Sequence, residues 1–120
     1  MIPGAPRGEA GARAEALAAE HLARAGLVVV ERNWRHRVGE IDLVARDGDV
    51  LVFVEVRLRR RADYGGAGAS ITATKRARMV AAANAYLARL SPTPACRFDA
   101  VLMDSLDPAR IEWLQDVLEG

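Results

Sequence analysis

The feature that most constrains this chain is the tetrapeptide Arg46-Asp47-Gly48-Asp49, set between two apolar runs at residues 38–45 and 50–56. An Asp-Gly pair between such runs is among the strongest short-range hairpin signals, because a two-residue turn needs the positive φ that glycine reaches without steric cost. If Asp47-Gly48 is the turn, Arg46 pairs with Asp49 and the indices of opposed residues sum to 95. Opposed residues share a face and side chains alternate along each strand. One face then carries Ile41, Leu43 and Ala45 with Val50, Val52, Val54 and Val56, which is wholly apolar and must be buried. The other carries Val38, Glu40, Asp42 and Val44 with Leu51, Phe53, Glu55 and Arg57: apolar near the turn, with three carboxylates and an arginine further away. Glu40 falls opposite Glu55, and Asp42 becomes its diagonal neighbour at roughly 7–8 Å. A one-residue bulge at the turn would reverse these assignments.

Like charges directly opposed on a sheet are destabilising, so the cluster needs compensation. Two readings stand. One is a hard divalent cation, since Mg²⁺ takes oxygen ligands and commonly one or two carboxylates. The other is a solvent-facing patch screened by water and Arg57.

The rest of the chain supplies the frame. Residues 1–7, with Pro3, Gly4 and Pro6, read as a flexible tail, and residues 8–120 as one domain. From Gly8 to Ala25 the composition is helix-forming and Gly26 is the stop. The β-branched run 27–30 predicts a strand. Residues 59–70, Arg-rich and then Gly-rich, read as a mobile loop. Thr72 is placed to cap a second helix running to about Leu90, with Val80, Ala83, Leu87 and Leu90 as its apolar stripe. Residues 96–103 and 110–114 predict two closing strands joined by a turn at 104–108. The order α-β-β-β-α-β-β implies an α/β protein with a central sheet flanked by helices.

On the first helix, Gly11, Glu15, Ala18, Leu22 and Ala25 fall on one stripe, which puts Glu15 on a small-residue face able to pack on the sheet. An Ala-rich helix defines its stripe poorly, so Glu15 is either a fourth acid of the cluster or an exposed helix acid.

Charge narrows the partner. The formal net charge is only +1, but residues 57–78 hold seven basic residues and one acid, whereas residues 97–120 hold two basic residues and six acids. Such asymmetry suggests a basic surface facing a polyanion, although charge runs are also ordinary solvated faces. No apolar run approaches the ~20 residues of a membrane helix, and the N-terminal segment lacks the apolar stretch of a signal peptide. The expected location is the cytoplasm. Cys96 is the sole cysteine, which excludes an intrachain disulfide and a paired-cysteine zinc site.

The segments Gly39-Glu-Ile-Asp-Leu43, Phe53-Val-Glu-Val-Arg57, Tyr64-Gly-Gly-Ala67 followed by Ser70 and Lys75, and Arg97-Phe-Asp99 together resemble the bacterial YraN-type family. That family is functionally uncharacterised and endonuclease-like, and is similar to archaeal Holliday-junction resolvases and the restriction-endonuclease-like PD-(D/E)XK superfamily. The likeness spans nearly the whole chain, from about Gly11 to Trp113. It implies a restriction-endonuclease-like fold with a mixed sheet, a Mg²⁺ or Mn²⁺ cofactor and a DNA substrate, branched or damaged DNA included. It also implies roles: Asp42 and Glu55 as metal ligands, Glu15 as a helix glutamate assisting them, and the backbone carbonyl of Val56 as a further ligand. Ile41 stands where the superfamily has a proline, and Arg57 where it usually has lysine.

The arginine matters chemically. It stays protonated in proteins and cannot act as a general base. It can hold a phosphate through two parallel hydrogen bonds and stabilise developing charge. Activating water would then fall to the metal. Glu40 is a candidate outer acid. Arg59, Arg60 and Arg61 in the Gly-rich loop, with Lys75 and Arg76 at the start of the second helix, are the candidate nucleic-acid contacts. Lys75 is equally readable as an exposed cation. The loop is not a P-loop, since no Gly-Lys-Ser/Thr follows its glycines. Arg97 and Asp99 belong to a family motif or simply pair with each other. Trp34 either stacks on a base or is partly packed, His21 and His36 read as surface residues, and Met79 and Trp113 as core.

The leading function is a metal-dependent DNA endonuclease, with a homodimer plausible because cutting both strands needs two sites. A non-catalytic nucleic-acid-binding module is the alternative, favoured by Arg57. A scaffold without nucleic acid is disfavoured by the basic segment.

Overall fold

The computed structural model describes residues 8–58 and 73–118. The N-terminal tail, Arg59, Arg60, Arg61, the Gly-rich loop and Thr72 lie outside the described residues.

The first helix, α1 (Glu9–Arg24), ends as its sequence requires. Gly26 adopts φ +101°, its amide donates to the Ala23 carbonyl, and the Leu27 amide donates to the Leu22 carbonyl. These two bonds make a Schellman closure, and both Leu22 and Leu27 are buried in the core it points into.

Five strands follow the order β1 (Val28–His36), β2 (Gly39–Asp47), β3 (Val50–Leu58), β4 (Cys96–Met103) and β5 (Ile111–Leu114), each beside the next in one sheet. Three pairings are antiparallel and β3–β4 is parallel. A parallel pair needs a crossover, and the second helix, α2 (Ala73–Leu87), lies in the segment between β3 and β4. The element order and the mixed sheet are those expected from the sequence.

The sheet is buried on both faces. On one, Ala14, Ala18 and Leu22 of α1 pack with Leu43, Ala45, Val52, Val54 and Val101. On the other, Ala82, Ala83 and Tyr86 of α2 pack with Val44, Leu51 and Phe53. Such a two-sided sheet accounts for the near-continuous apolar run of β3.

Four expectations need correction. The β2–β3 turn is Gly48-Asp49 rather than Asp47-Gly48: Asp47 pairs with Val50, so opposed indices sum to 97. Gly48 takes φ +61° at the first turn position, the place a Gly-led two-residue turn assigns to glycine. Because the register moves by two, side chains keep their faces through the paired stretch. Second, Ile41 joins the α2-side cluster. The paired stretch of β2 and β3 ends at Leu43↔Val54, and in β1 Asn33 takes φ +53° between the pairs Arg32↔Leu43 and Trp34↔Ile41. Alternation is broken at that kink.

Third, β1 extends to His36 rather than ending at residue 30, with a register shift between Val29 and Glu31. Its polar second half is an edge strand with only one paired side, so it carries no apolar alternation to betray it. Fourth, α2 ends at Leu87, and its buried stripe is Met79, Ala82, Ala83 and Tyr86, while Val80 and Leu90 are exposed. The bulkier apolar residues suggested a stripe rotated by about one position; the helix instead lays its alanines against the sheet.

Candidate active site

Where the β2–β3 pairing ends, the Asp42 carboxylate takes over. Its Oδ2 accepts a hydrogen bond from the Val56 amide at 2.8 Å. This bond ties the two strands together and fixes the carboxylate in a cleft of about 1170 Å³. Asp42 and Glu55 both line that cleft and are 5% and 8% exposed. Burying two carboxylates together is costly unless cations or donors compensate. Lys75, from the first turn of α2, forms an ion pair with Glu55 Oε2. Around the acids, Arg35, Arg37, Arg57, Lys75 and Arg78 line the same space, with Glu40 as the third acid. Among the described residues the lining is therefore acidic at its floor and, at five basic residues to three acidic, cationic in sum.

The expected residues fare differently. Asp42, Glu55, Val56, Arg57 and Lys75 are brought together. Glu40 does not face Glu55; it is opposite Arg35 on β1 and forms an ion pair with it. Glu15 is buried, at 6% exposure, but is not among the residues lining the cleft. Arg76 is exposed on α2 and also lies outside the lining. Among the described residues, no group of three or more His, Cys, Asp or Glu side chains is arranged to hold a metal ion.

Sequence reasoning missed Arg35, Arg37 and Arg78 as cleft residues. Arg35 and Arg37 come from the end of β1 and the turn after it, and only the β1–β2 register could have revealed them. Arg78 is one helical turn beyond Lys75 on α2, and that spacing was a usable signal.

Arg97 and Asp99 form a structural anchor away from the cleft. Asp99 is completely buried and accepts from Arg97 Nε at 3.1 Å, Trp113 Nε1 at 2.9 Å and the Asp116 amide at 3.0 Å. Arg97 also donates to Asp47 Oδ2 at 3.0 Å. Burial opposes the charged guanidinium, but the bonds and charges of Asp99 and Asp47 outweigh it and raise the Arg97 pKa. Trp34 is packed rather than open: His36 stacks on it, the Tyr86 ring meets it edge-on, and Arg89 sits over it at 5.9 Å. Burial, followed by the Glu31 charge, raises the Tyr86 pKa against a smaller opposing effect of Arg89. His36 is exposed, whereas His21 is half-buried edge-on to Trp113. Met79 is core, and Trp113 is half-buried against the α1-side cluster. No helix among the described residues is long and apolar enough to cross a membrane.

Fold and cleft define an α/β protein with a mixed five-stranded sheet and a buried acidic pair under a basic rim. The family described as "Uncharacterised protein family UPF0102" matches residues 14–103. A UPF0102 protein of Dechloromonas aromatica is 59% identical over 105 residues, covering 88% of this chain and 84% of that protein. Another, from Methylobacillus flagellatus, is 51% identical over 107 residues, covering 89% and 94%. A Pseudomonas aeruginosa relative is 47% identical over 116 residues and covers 92% of each chain. The chain belongs to the UPF0102 family, the YraN-type family its motifs resemble.

Proposed function

We propose that this protein is a divalent-metal-dependent endonuclease that hydrolyses phosphodiester bonds in DNA, with branched or damaged DNA as candidate substrates. The observation that carries the reading is the pair of buried carboxylates, Asp42 and Glu55, on the floor of a cleft whose rim is basic. Carboxylate oxygens suit a hard cation, and arginines and lysines suit the phosphate backbone.

The donor set fits Mg²⁺ or Mn²⁺ in kind, since such ions commonly take one or two carboxylates and complete their shell with water and phosphate. Asp42, Glu55 and the Val56 carbonyl would hold the ion, with Glu15 on α1 as a further candidate donor. When bound, the ion supplies the Lewis acidity that makes water nucleophilic near neutral pH and offsets charge on the phosphate. The chain's own residues do the rest. The Val56 amide holds Asp42 in orientation. Arg57, permanently protonated, grips the phosphate and stabilises the charge that grows on it. In hydrolysis the water oxygen bonds to phosphorus, one ester P–O bond breaks, the water gives up a proton and the leaving oxygen gains one. Lys75 and Arg76, together with Arg59, Arg60 and Arg61, are the proposed backbone contacts. Cutting both strands of a duplex needs two sites, so the reading expects a homodimer on DNA, acting in the cytoplasm. Arg57 in the usual lysine position favours the second reading, a nucleic-acid-binding module without cleavage.

The test is cleavage of supercoiled plasmid, linear duplex and four-way-junction DNA with Mg²⁺ or Mn²⁺. Wild type is expected to cut at least one of them. Asp42→Ala and Glu55→Ala are each expected to lose on the order of 100-fold or more of that rate, as for other removals of transition-state electrostatic support. Equal inactivity of wild type and both variants, with DNA binding retained, sinks the enzyme and leaves the binding module. Full activity of Asp42→Ala puts the site elsewhere.

A further inference from the structure

A line of rings runs from the core to the rim of the cleft. Phe98 of β4 lies against the fully buried ring of Phe53 on β3. Phe53 meets Tyr86 of α2 edge-on at 5.8 Å, and Tyr86 meets Trp34 of β1 edge-on at 5.3 Å. Trp34 then carries His36 in a stack, with centroids 5.8 Å apart and planes within 13°. Residues two apart on a strand share a face, which is why these two rings meet. The chain has two Trp, two Tyr and two Phe, and four of those six stand in this one line. Aromatic side chains are too scarce here for such a run to follow from composition. Arg89 braces its middle, over the Trp34 ring at 5.9 Å and the Tyr86 ring at 5.0 Å.

Exposure rises along the line: Phe53 and Tyr86 are buried, Trp34 is half-buried and His36 is exposed. His36 also lines the cleft that holds Asp42 and Glu55. The Val38 amide donates to its Nδ1 at 3.4 Å, a second restraint on the ring beside the Trp34 stack. An exposed ring adds little to the fold, but a ring held from behind loses little freedom when a flat ligand stacks on it. Nucleobases are such ligands, and histidine is among the side chains that stack with them. Inside an unbroken duplex both faces of a base are covered by its neighbours. A ring at the cleft therefore suits a base whose stacking is interrupted, at a fork, a branch, a strand end or an extruded position.

We propose that His36 stacks, through the face turned away from Trp34, on an unpaired nucleobase of the DNA strand that enters the cleft. The ligand class is an unpaired nucleotide rather than a phosphate. This rests on the nuclease reading only for the polymer being DNA; the stack itself is decided by binding without metal. It narrows the substrate of that reading to DNA with an unpaired segment beside the cut, since the ring and the acids share one cleft.

The experiment measures equilibrium binding in EDTA, at one fixed salt concentration. Three DNAs are used: a fork with single-stranded arms, the same fork with abasic arms, and a blunt duplex. Wild type, His36→Ala, His36→Leu and His36→Phe are compared. Leucine keeps apolar bulk on Trp34 without a π face, and phenylalanine keeps the face. Wild type is expected to bind the base-bearing fork about 10-fold more tightly than the abasic one, as for a stacked base. His36→Ala and His36→Leu are expected to lose that preference and His36→Phe to keep it, with blunt-duplex affinity unchanged in all four. Because each comparison removes one partner of the same contact, the four proteins and two forks form double-mutant cycles. A full preference in His36→Leu, with a melting curve like wild type, overturns the proposal and leaves His36 as a cover for Trp34. No preference in wild type overturns it as well, even if the protein cuts DNA, in which case the nuclease stands. A preference that depends on His36 in a wild type that cuts nothing supports the stack while removing the nuclease. Failure of wild type to bind any of the three overturns both.

Discussion

Asp99 and Asp42 show how differently two buried carboxylates can be treated. Asp99 is fully buried and accepts bonds from a guanidinium, an indole and a backbone amide, so its charge is answered within the chain. Removing it would take the acceptor from the Trp113 indole and the Asp116 amide and leave the half-buried Arg97 to Asp47. Asp99→Ala is therefore expected to cost about 3–5 kcal/mol, read as a lower urea midpoint at unchanged slope. The Arg97-Phe-Asp99 spacing suggested that the two charges pair, and they do. The indole of Trp113 was not legible as a partner, because it reaches Asp99 only through the β4–β5 register. Asp42 is answered by the Val56 amide at the point where strand pairing ends, a geometry no sequence spacing announces. That Asp42 and Glu55 share a site was legible, since side-chain parity alone puts them on one side of a hairpin. The burial of Glu15 was not, because a helix made largely of alanine leaves its inward face undecided.

At the scale of elements, the cleft is a gap between the start of β2 and the start of α2, and Gly39 sets its width. A Cβ on Gly39 would stand 2.7 Å from the Arg78 carbonyl oxygen and 3.4 Å from the Ala82 Cβ. Backbone cannot yield there without moving α2 off the sheet. Gly39→Ala is expected to destabilise the fold by about 1–3 kcal/mol, the range typical of overpacking. It should also weaken DNA binding, because the helix that shifts carries Lys75 and Arg78; thermal melts and a binding isotherm on the same sample check both. The hairpin itself was legible from Asp47-Gly48, but not which two residues form the turn, since Asp-Gly and Gly-Asp both offer a workable pair. The second half of β1 hid because its residues, Glu31 to His36, are mostly charged or polar. With it were hidden Arg35 and Arg37, two of the five basic residues described in the cleft lining.

For the whole molecule, the proposed cation at Asp42 and Glu55 links folding to metal binding. A cation that binds the native chain and not the unfolded one stabilises it by mass action. Mn²⁺ is therefore expected to raise the melting temperature of wild type, and EDTA to reverse the rise; no rise should occur in Asp42→Asn, which retains an acceptor for the Val56 amide but not the charge. A wild-type melt indifferent to Mn²⁺ and Mg²⁺ would remove the metal from the proposed function. The sequence conveyed the element order because each element announces itself locally, whereas the site is made by a crossover. The parallel seam has a further consequence for the order of assembly. Leu51 pairs with Cys96, 45 positions later (96 − 51), while the β1–β2 and β2–β3 hairpins close over two residues each. Non-local pairing of this kind is slow. A chain emerging from the ribosome can close both hairpins early, but β3 has no partner along its other side until β4 has been made. Until then the strand that carries Glu55 and Arg57 is an open edge, and the newly made protein passes through a stage in which that edge can pair with another chain.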